Sequence, residues 1–282
     1  MTSLLLRACR VSLAALVLNA APKGAASQQP SWSTEHRDES LRPELDAITA
    51  RGSLLADYDR AAWHATDAVL ALRPDENLVR GYLARRRADG LWEVVFGRLA
   101  QGNNEFLIAY RAVQRGAGDT SYSATALSPR ESDSDWYARA ARALDVARGA
   151  FGAARRPYNA MVVPAGDAGD LFVYIVPAPT RPGEFPLGGD VRYRVSSDGR
   201  RLVDQRRLHN AVLEYPHPAK AGAAPVSGYH TAILDDRPED TDVFHVLSRE
   251  PKLPEYVVSK SYYFRVDADG RITAYRHDAS GN

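Results

Sequence analysis

The sequence predicts an α+β fold, mainly antiparallel β-sheet with two principal helices in its N-terminal half. Three observations lead there. Apolar residues recur at three- and four-residue spacing in two early segments. Short stretches rich in Val, Tyr, Phe and Ile fill most of the remainder. Asp-Gly turns punctuate those stretches, and no strand–helix–strand alternation of the kind that builds a parallel sheet is visible.

The first helix is expected over residues 53–72. Ser53 can cap it after Gly52, Leu54, Leu55, Tyr58, Ala62, Ala65, Val69 and Leu72 form its stripe, and Pro74 stops it. The second is expected over roughly 133–150, capped by Ser132 or Ser134, with Trp136, Ala140, Leu144, Ala147 and Phe151 facing inward. Between them, 79–86, 91–99 and 105–113 read as a three-stranded antiparallel meander. Trp63, Trp92 and Trp136 read as core residues.

Beyond residue 157 no helix is expected. Strands are placed at 158–164, 171–176, 190–196, 200–215, 228–234, 242–248, 256–266 and 271–276, with proline-bearing loops at 177–189 and 216–228. Three Asp-Gly pairs, at 89–90, 198–199 and 269–270, sit where hairpins must reverse, each with an arginine five residues before the glycine. The residues after the glycines do not match, so turn chemistry explains them more simply than a repeated unit. The Asp-x-Asp-Gly at 267–270 lacks the downstream Glu of a calcium loop and reads as a turn.

The N-terminus has the layout of a secretory signal over residues 1–27: Arg7 and Arg10, an apolar run from Val11 to Leu18, and the small residues Ala25-Ala26-Ser27. Its apolar stretch is too short to span a bilayer, which takes about 20 residues. A polar lead-in at 28–40 and one α+β domain at 41–282 follow, divisible into lobes at 41–154 and 155–282. A periplasmic or secreted location is expected. Cleavage removes Cys9, the only cysteine, and with it any disulfide or thiolate chemistry. It also removes three of the 36 basic residues and none of the 35 acidic ones, leaving a slightly acidic chain. That balance argues against a nucleic-acid partner, which calls for a basic surface.

No Gly-x-Ser-x-Gly elbow, phosphate loop, His-Glu-x-x-His helix or Gly-x-Gly-x-x-Gly turn is present. The constellation that stands out is His209, His230 and His245, each placed on the apolar side of one of three successive expected strands. If those strands are neighbours, three imidazoles converge as in a catalytic zinc site with an open water position. Otherwise each histidine bonds a local carbonyl or tyrosine. Between His230 and His245 lie Asp235, Asp236, Glu239, Asp240 and Asp242. They read as a solvated turn or as an acidic rim able to hold a hard cation beside the histidines. Asp190 follows the pair Gly188-Gly189, a loop-to-strand hinge or a point where backbone approaches a ligand closely. The expected function is therefore an exported module that binds a small molecule or an envelope component. The alternative is a metal-dependent hydrolase built on the three histidines and a divalent cation.

Overall fold

The computed structural model describes residues 37–166, 169–181, 183–214 and 226–277. The expected signal segment and Cys9 lie outside the described residues, as does most of the 216–228 loop. The α+β expectation holds. Among the described residues, three four-stranded sheets and a two-stranded ladder pack with three α-helices. Among these residues one strand pairing, Gly228–Thr231 with Glu255–Val258, is parallel and the others described are antiparallel.

Helix α1 runs Arg42–Leu70, with Pro43 in its first turn. Eleven residues precede the expected start at Ser53, because Gly52 does not break the helix. A Cβ at Gly52 would lie 2.5 Å from the Asp240 carbonyl and 2.5 Å from Val243 Cβ, so this glycine is where a second helix crosses. The closeness of that crossing offsets the roughly 1 kcal/mol that glycine costs in a helix interior. At about 1.5 Å per residue α1 is about 43 Å long, and it serves two cores. Leu45 and Ile48 pack with the C-terminal sheet, while Leu55, Tyr58, Ala61, Ala62, Ala65 and Val69 cover the first sheet. Trp63 falls outside that stripe. It is 52% exposed and stacks on His64, correcting its assignment to the core.

The first sheet comprises β1 (Gly81–Arg86), β2 (Trp92–Leu99), β3 (Phe106–Gln114) and β4 (Tyr122–Asp133). The sequence reading found three of these. It missed β4, an edge strand of sequence YSATALSPRESD whose side chains are mostly exposed, so no apolar alternation marks it. Pro129 is tolerated there because an edge strand need not donate to a further neighbour. Helix α2 (Trp136–Phe151) lies between this sheet and the second. Neither Ser132 nor Ser134 caps it. The Asp133 carboxylate does, accepting from the backbone N–H of Tyr137 at 2.8 Å and Ala138 at 3.2 Å.

The second sheet is built from β5 (Tyr158–Pro164), β6 (Leu171–Pro177), β8 (Val191–Val195) and β9 (Leu202–Arg207). A two-residue ladder joins β7 (Leu187–Gly188) to β10 (Val212–Leu213). The third contains β11 (Gly228–Thr231), β12 (Glu255–Val258), β13 (Tyr262–Val266) and β14 (Ile272–Arg276). All three Asp-Gly turns have the glycine at positive φ, 82°, 75° and 86°. The end of the expected loose lead-in is tied down, with Asp38 N–H bonded to the Ala274 carbonyl at 3.0 Å. No helix among the described residues is long and apolar enough to cross a membrane.

The main correction concerns 242–248. Expected as a strand, it belongs to helix α3, Asp240–Ser248. Glu239 and Asp242 form a reciprocal capping box, each carboxylate accepting the other's backbone N–H. Val243 and Val246 then face α1 and the third sheet.

Gly52 and Gly149 provide a matched test. Gly149 lies exposed near the end of α2, with nothing within 4 Å of an added Cβ. Gly149→Ala is expected to stabilise by about 0.5–1 kcal/mol, whereas Gly52→Ala should destabilise by about 1–3 kcal/mol through overpacking. Urea denaturation midpoints read both.

Candidate metal centre

Three chain-distant segments meet at one buried point. The first carries His209, just past β9 and ahead of β10. It is drawn inward because Leu208 is buried and donates its N–H to the Asp190 carbonyl at 3.1 Å. Gly188 and Gly189 make this possible. Their φ angles are +83° and +65°, and a Cβ on Gly188 would sit 2.4 Å from the Ala211 carbonyl and 3.1 Å from His209 Cβ. The glycine pair makes a close backbone approach, and what it approaches is the chain bearing His209 in place of the expected ligand.

The second segment is β11, which places His230 inward with 4% exposure. The third is the first turn of α3, which delivers Asp242 with none. The helix N-terminus favours a carboxylate there through its unpaired N–H groups and dipole.

The geometry is compact. The rings of His209 and His230 lie 5.5 Å apart, edge to face. Each presents Nε2 to the same atom, Asp242 Oδ1, at 3.1 Å. The donor atoms of His209, His230 and Asp242 all lie within 4.8 Å of one another. Each ring is backed at its other nitrogen by a second carboxylate: His209 Nδ1 to Asp190 at 2.8 Å, His230 Nδ1 to Glu255 at 3.0 Å. A carboxylate behind Nδ1 requires a proton there, so Nε2 holds the lone pair whenever the ring is neutral. Despite their proximity, His230 Nε2 and Asp242 Oδ1 are buried atoms that complete no hydrogen bond.

His245 is not part of this cluster. On α3 it lies one turn beyond Asp242, and its Nε2 faces Arg249 Nη1 at 3.0 Å. Burial and the Arg249 charge lower its pKa to about 4, so the ring is neutral. The expected three-histidine convergence becomes two histidines and an aspartate, because α3 turns by helical rather than strand periodicity.

The acidic rim dissolves into separate partnerships. Asp240 is buried and takes Tyr174 Oη at 2.6 Å, Arg192 at 2.9 Å and Arg51 at 2.8 Å. Glu239 and Asp235 both hold Arg206, and Asp236 accepts the Ser261 N–H at 2.9 Å. Of the five acids only Asp242 enters the donor cluster. Glu255 and Arg249 were missed entirely. The signal that would have located α3 is Glu239-x-x-Asp242 ahead of Val243-Phe244-His245-Val246-Leu247, an acidic capping box before an apolar run.

Electrostatics follow from the packing. Burial would lower both imidazole pKa values, but it is outweighed. The Asp242 and Asp190 carboxylates push His209 well up, and Asp242 with Glu255 pushes His230 up to about 9. Burial would raise Asp242, yet the two imidazolium charges hold it far below the usual carboxylate range. Burial raises Glu239 to about 8 against the pull of Arg206. Without a metal, two imidazoliums therefore flank one carboxylate.

No protein-family model, curated protein or solved structure matches this chain, so the chemistry of the site must be read from its own atoms.

The sign of the pH dependence follows. An imidazole whose pKa rises on folding contributes stability in full below its unfolded value of about 6.5 and loses it as pH climbs through the folded value. For His230 that window closes near pH 9; for His209 it extends higher. Asp242, shifted down, contributes above the ordinary carboxylate range and loses it in acid. In chelator, the denaturation midpoint of the wild type should drop more between pH 6.5 and 9 than that of His209→Asn. Equal slopes would refute a charged imidazole pair around Asp242.

Proposed function

We propose that this protein is an exported divalent-metal-binding module that holds one ion of the zinc class through His209 Nε2, His230 Nε2 and Asp242 Oδ1. One observation carries the reading: buried Asp242 Oδ1 faces two imidazole nitrogens at 3.1 Å, and neither it nor His230 Nε2 completes a hydrogen bond. Zinc bonds nitrogen and oxygen at about 2.0–2.2 Å, and a tetrahedral ion therefore spaces its ligand atoms by about 3.3 Å. The two nitrogen-to-oxygen distances, 3.1 Å each, are close to that spacing, and all three donor atoms lie within 4.8 Å of one another.

Charge supports the same conclusion. Asp190, Asp242 and Glu255 carry three negative charges against Arg249 and two imidazoliums. A dication that displaces both Nε2 protons leaves that balance unchanged. The donor set, two imidazoles and a carboxylate without sulfur, suits zinc and neighbouring first-row ions better than calcium. Export rests on the N-terminal signal pattern of residues 1–27. A processed chain beginning near Gln28 in the cell-envelope fraction is the expected mass-spectrometric finding.

The test uses purified full-length protein stripped with chelator. Zinc should bind at one ion per chain, and at a hundredfold excess over its Kd should stabilise the fold by about 2.7 kcal/mol. Binding near pH 7 should release protons, seen as a heat that varies with the ionisation enthalpy of the buffer. His209→Ala and Asp242→Ala should abolish the one-to-one stoichiometry, whereas His245→Ala should keep it. Absence of stoichiometric binding by the wild type would overturn the proposal.

One feature favours a hydrolytic variant of this reading. Three protein donors leave a tetrahedral ion one position for water, and the His209 side chain reaches the surface with 11% exposure. Zinc-dependent cleavage of an activated ester, lost in His209→Ala, is its expected sign. A loaded protein without that activity is a binding module alone.

A further inference from the structure

We infer that Asp190 and Glu255 are positioning residues for the ion, and that Gly228 is the notch that lets Glu255 reach its place. The inference rests on the metal-binding reading above and adds the outer frame that aims the ligands.

Parallel pairing sets Gly228 of β11 opposite Glu255 of β12, and His230 opposite Val257. His230 and Gly228 are two residues apart and share a face. The Glu255 side chain turns across β11 into the space that Gly228 leaves. A Cβ at Gly228 would lie 1.8 Å from Glu255 Oε2 and 2.6 Å from its carboxyl carbon. Gly228 needs no left-handed backbone, so room is the constraint there, not conformation. From that notch Oε1 meets His230 Nδ1 at 3.0 Å and Oε2 meets Arg249 Nη1 at 2.9 Å. Arg249 is in turn fixed by His245 Nε2 and by the carbonyls of Leu253 and Pro254. Glu255 is fully buried and held at both oxygens, so it cannot swing aside to admit a methyl group.

Asp190 does the same for the other ring. It is 1% exposed, follows Gly188-Gly189, and meets His209 Nδ1 at 2.8 Å. Both rings are thus gripped by the edge away from Asp242. Each grip fixes the proton at Nδ1 and turns Nε2 to one point, and a carboxylate behind an imidazole also makes it a stronger donor. His245, expected as a ligand, acts through Arg249 at the far end of this frame.

The experiment reads cobalt(II), whose visible absorption reports ligand geometry, on full-length protein, with zinc competition for affinity. Glu255→Gln, Asp190→Asn and Gly228→Ala should each weaken binding by about 10–100-fold and shift the cobalt band. Gly81→Ala, where nothing lies within 4 Å of the new Cβ, should change neither. A loss of stability alone would leave the band of the folded, loaded protein in place. Should Glu255→Gln fail to fold, Asp190→Asn, beside the partly exposed ring, decides. If the wild type binds cobalt and the folded variants match it in affinity and spectrum, the positioning role is overturned while the metal reading stands. If the wild type binds neither ion, both fall.

Discussion

A carboxylate with no access to water sits between two imidazoles, and the organisation of the C-terminal half follows from accommodating it. Removing an ion from water costs several kcal/mol even after the protein relaxes. Asp242 recovers that cost through the N-terminal dipole of α3, the Glu239 N–H in the capping box, and positive charge on two sides. Those positive charges must themselves be desolvated, which explains the second tier of carboxylates at Asp190 and Glu255. The result is a buried polyion whose charges balance only when all its members are present. Protons on the two imidazoles balance the central carboxylate; under the function proposed above, one dication would balance it in their place.

Holding such a cluster requires that α3 be placed firmly, and its first turn is anchored from three sides. Gly52 lets α1 close onto it. Asp240 binds Arg51 of α1, and Arg192 and Tyr174 of the second sheet. Glu239 holds Arg206, two residues before the chain turns inward at Leu208 and His209. The same four-residue stretch that donates Asp242 thus ties together α1, the second sheet and the segment bearing a second donor. A buried network of this kind tolerates loss of a member poorly, since each remaining charge is left without compensation.

Much of the local structure was legible because it depends on neighbours in the chain. Strand β5 is marked by its apolar run over 160–163 and ends at Pro164, as expected. The Asp-Gly turns reverse because glycine alone enters positive φ without cost. Asp190 was noticeable through the glycine pair before it. The misreadings have physical causes of their own. Gly52 looked like a helix boundary because its partner, α3, lies about 190 residues away in sequence. Strand β4 has no apolar period because it is an edge. Residues 242–248 are too short an apolar run for period to separate strand from helix, and the acidic cap ahead of them is what favours the helix.

The sequence by itself determined the fold class, the hairpin turns, and the concentration of histidines and carboxylates in the last third of the chain, since period, propensity and turn chemistry act over a few residues. Tertiary structure alone decided which of those side chains meet. Rotating α3 by 100° per residue instead of 180° moves His245 away from the cluster and brings Asp242 into it. The parallel pairing of β11 with β12 puts Glu255 into the gap at Gly228. The helical choice has a local cue in the acidic cap of α3, but which side chains that helix buries, and the pairing of β11 with β12, depend on what packs against them from elsewhere in the chain.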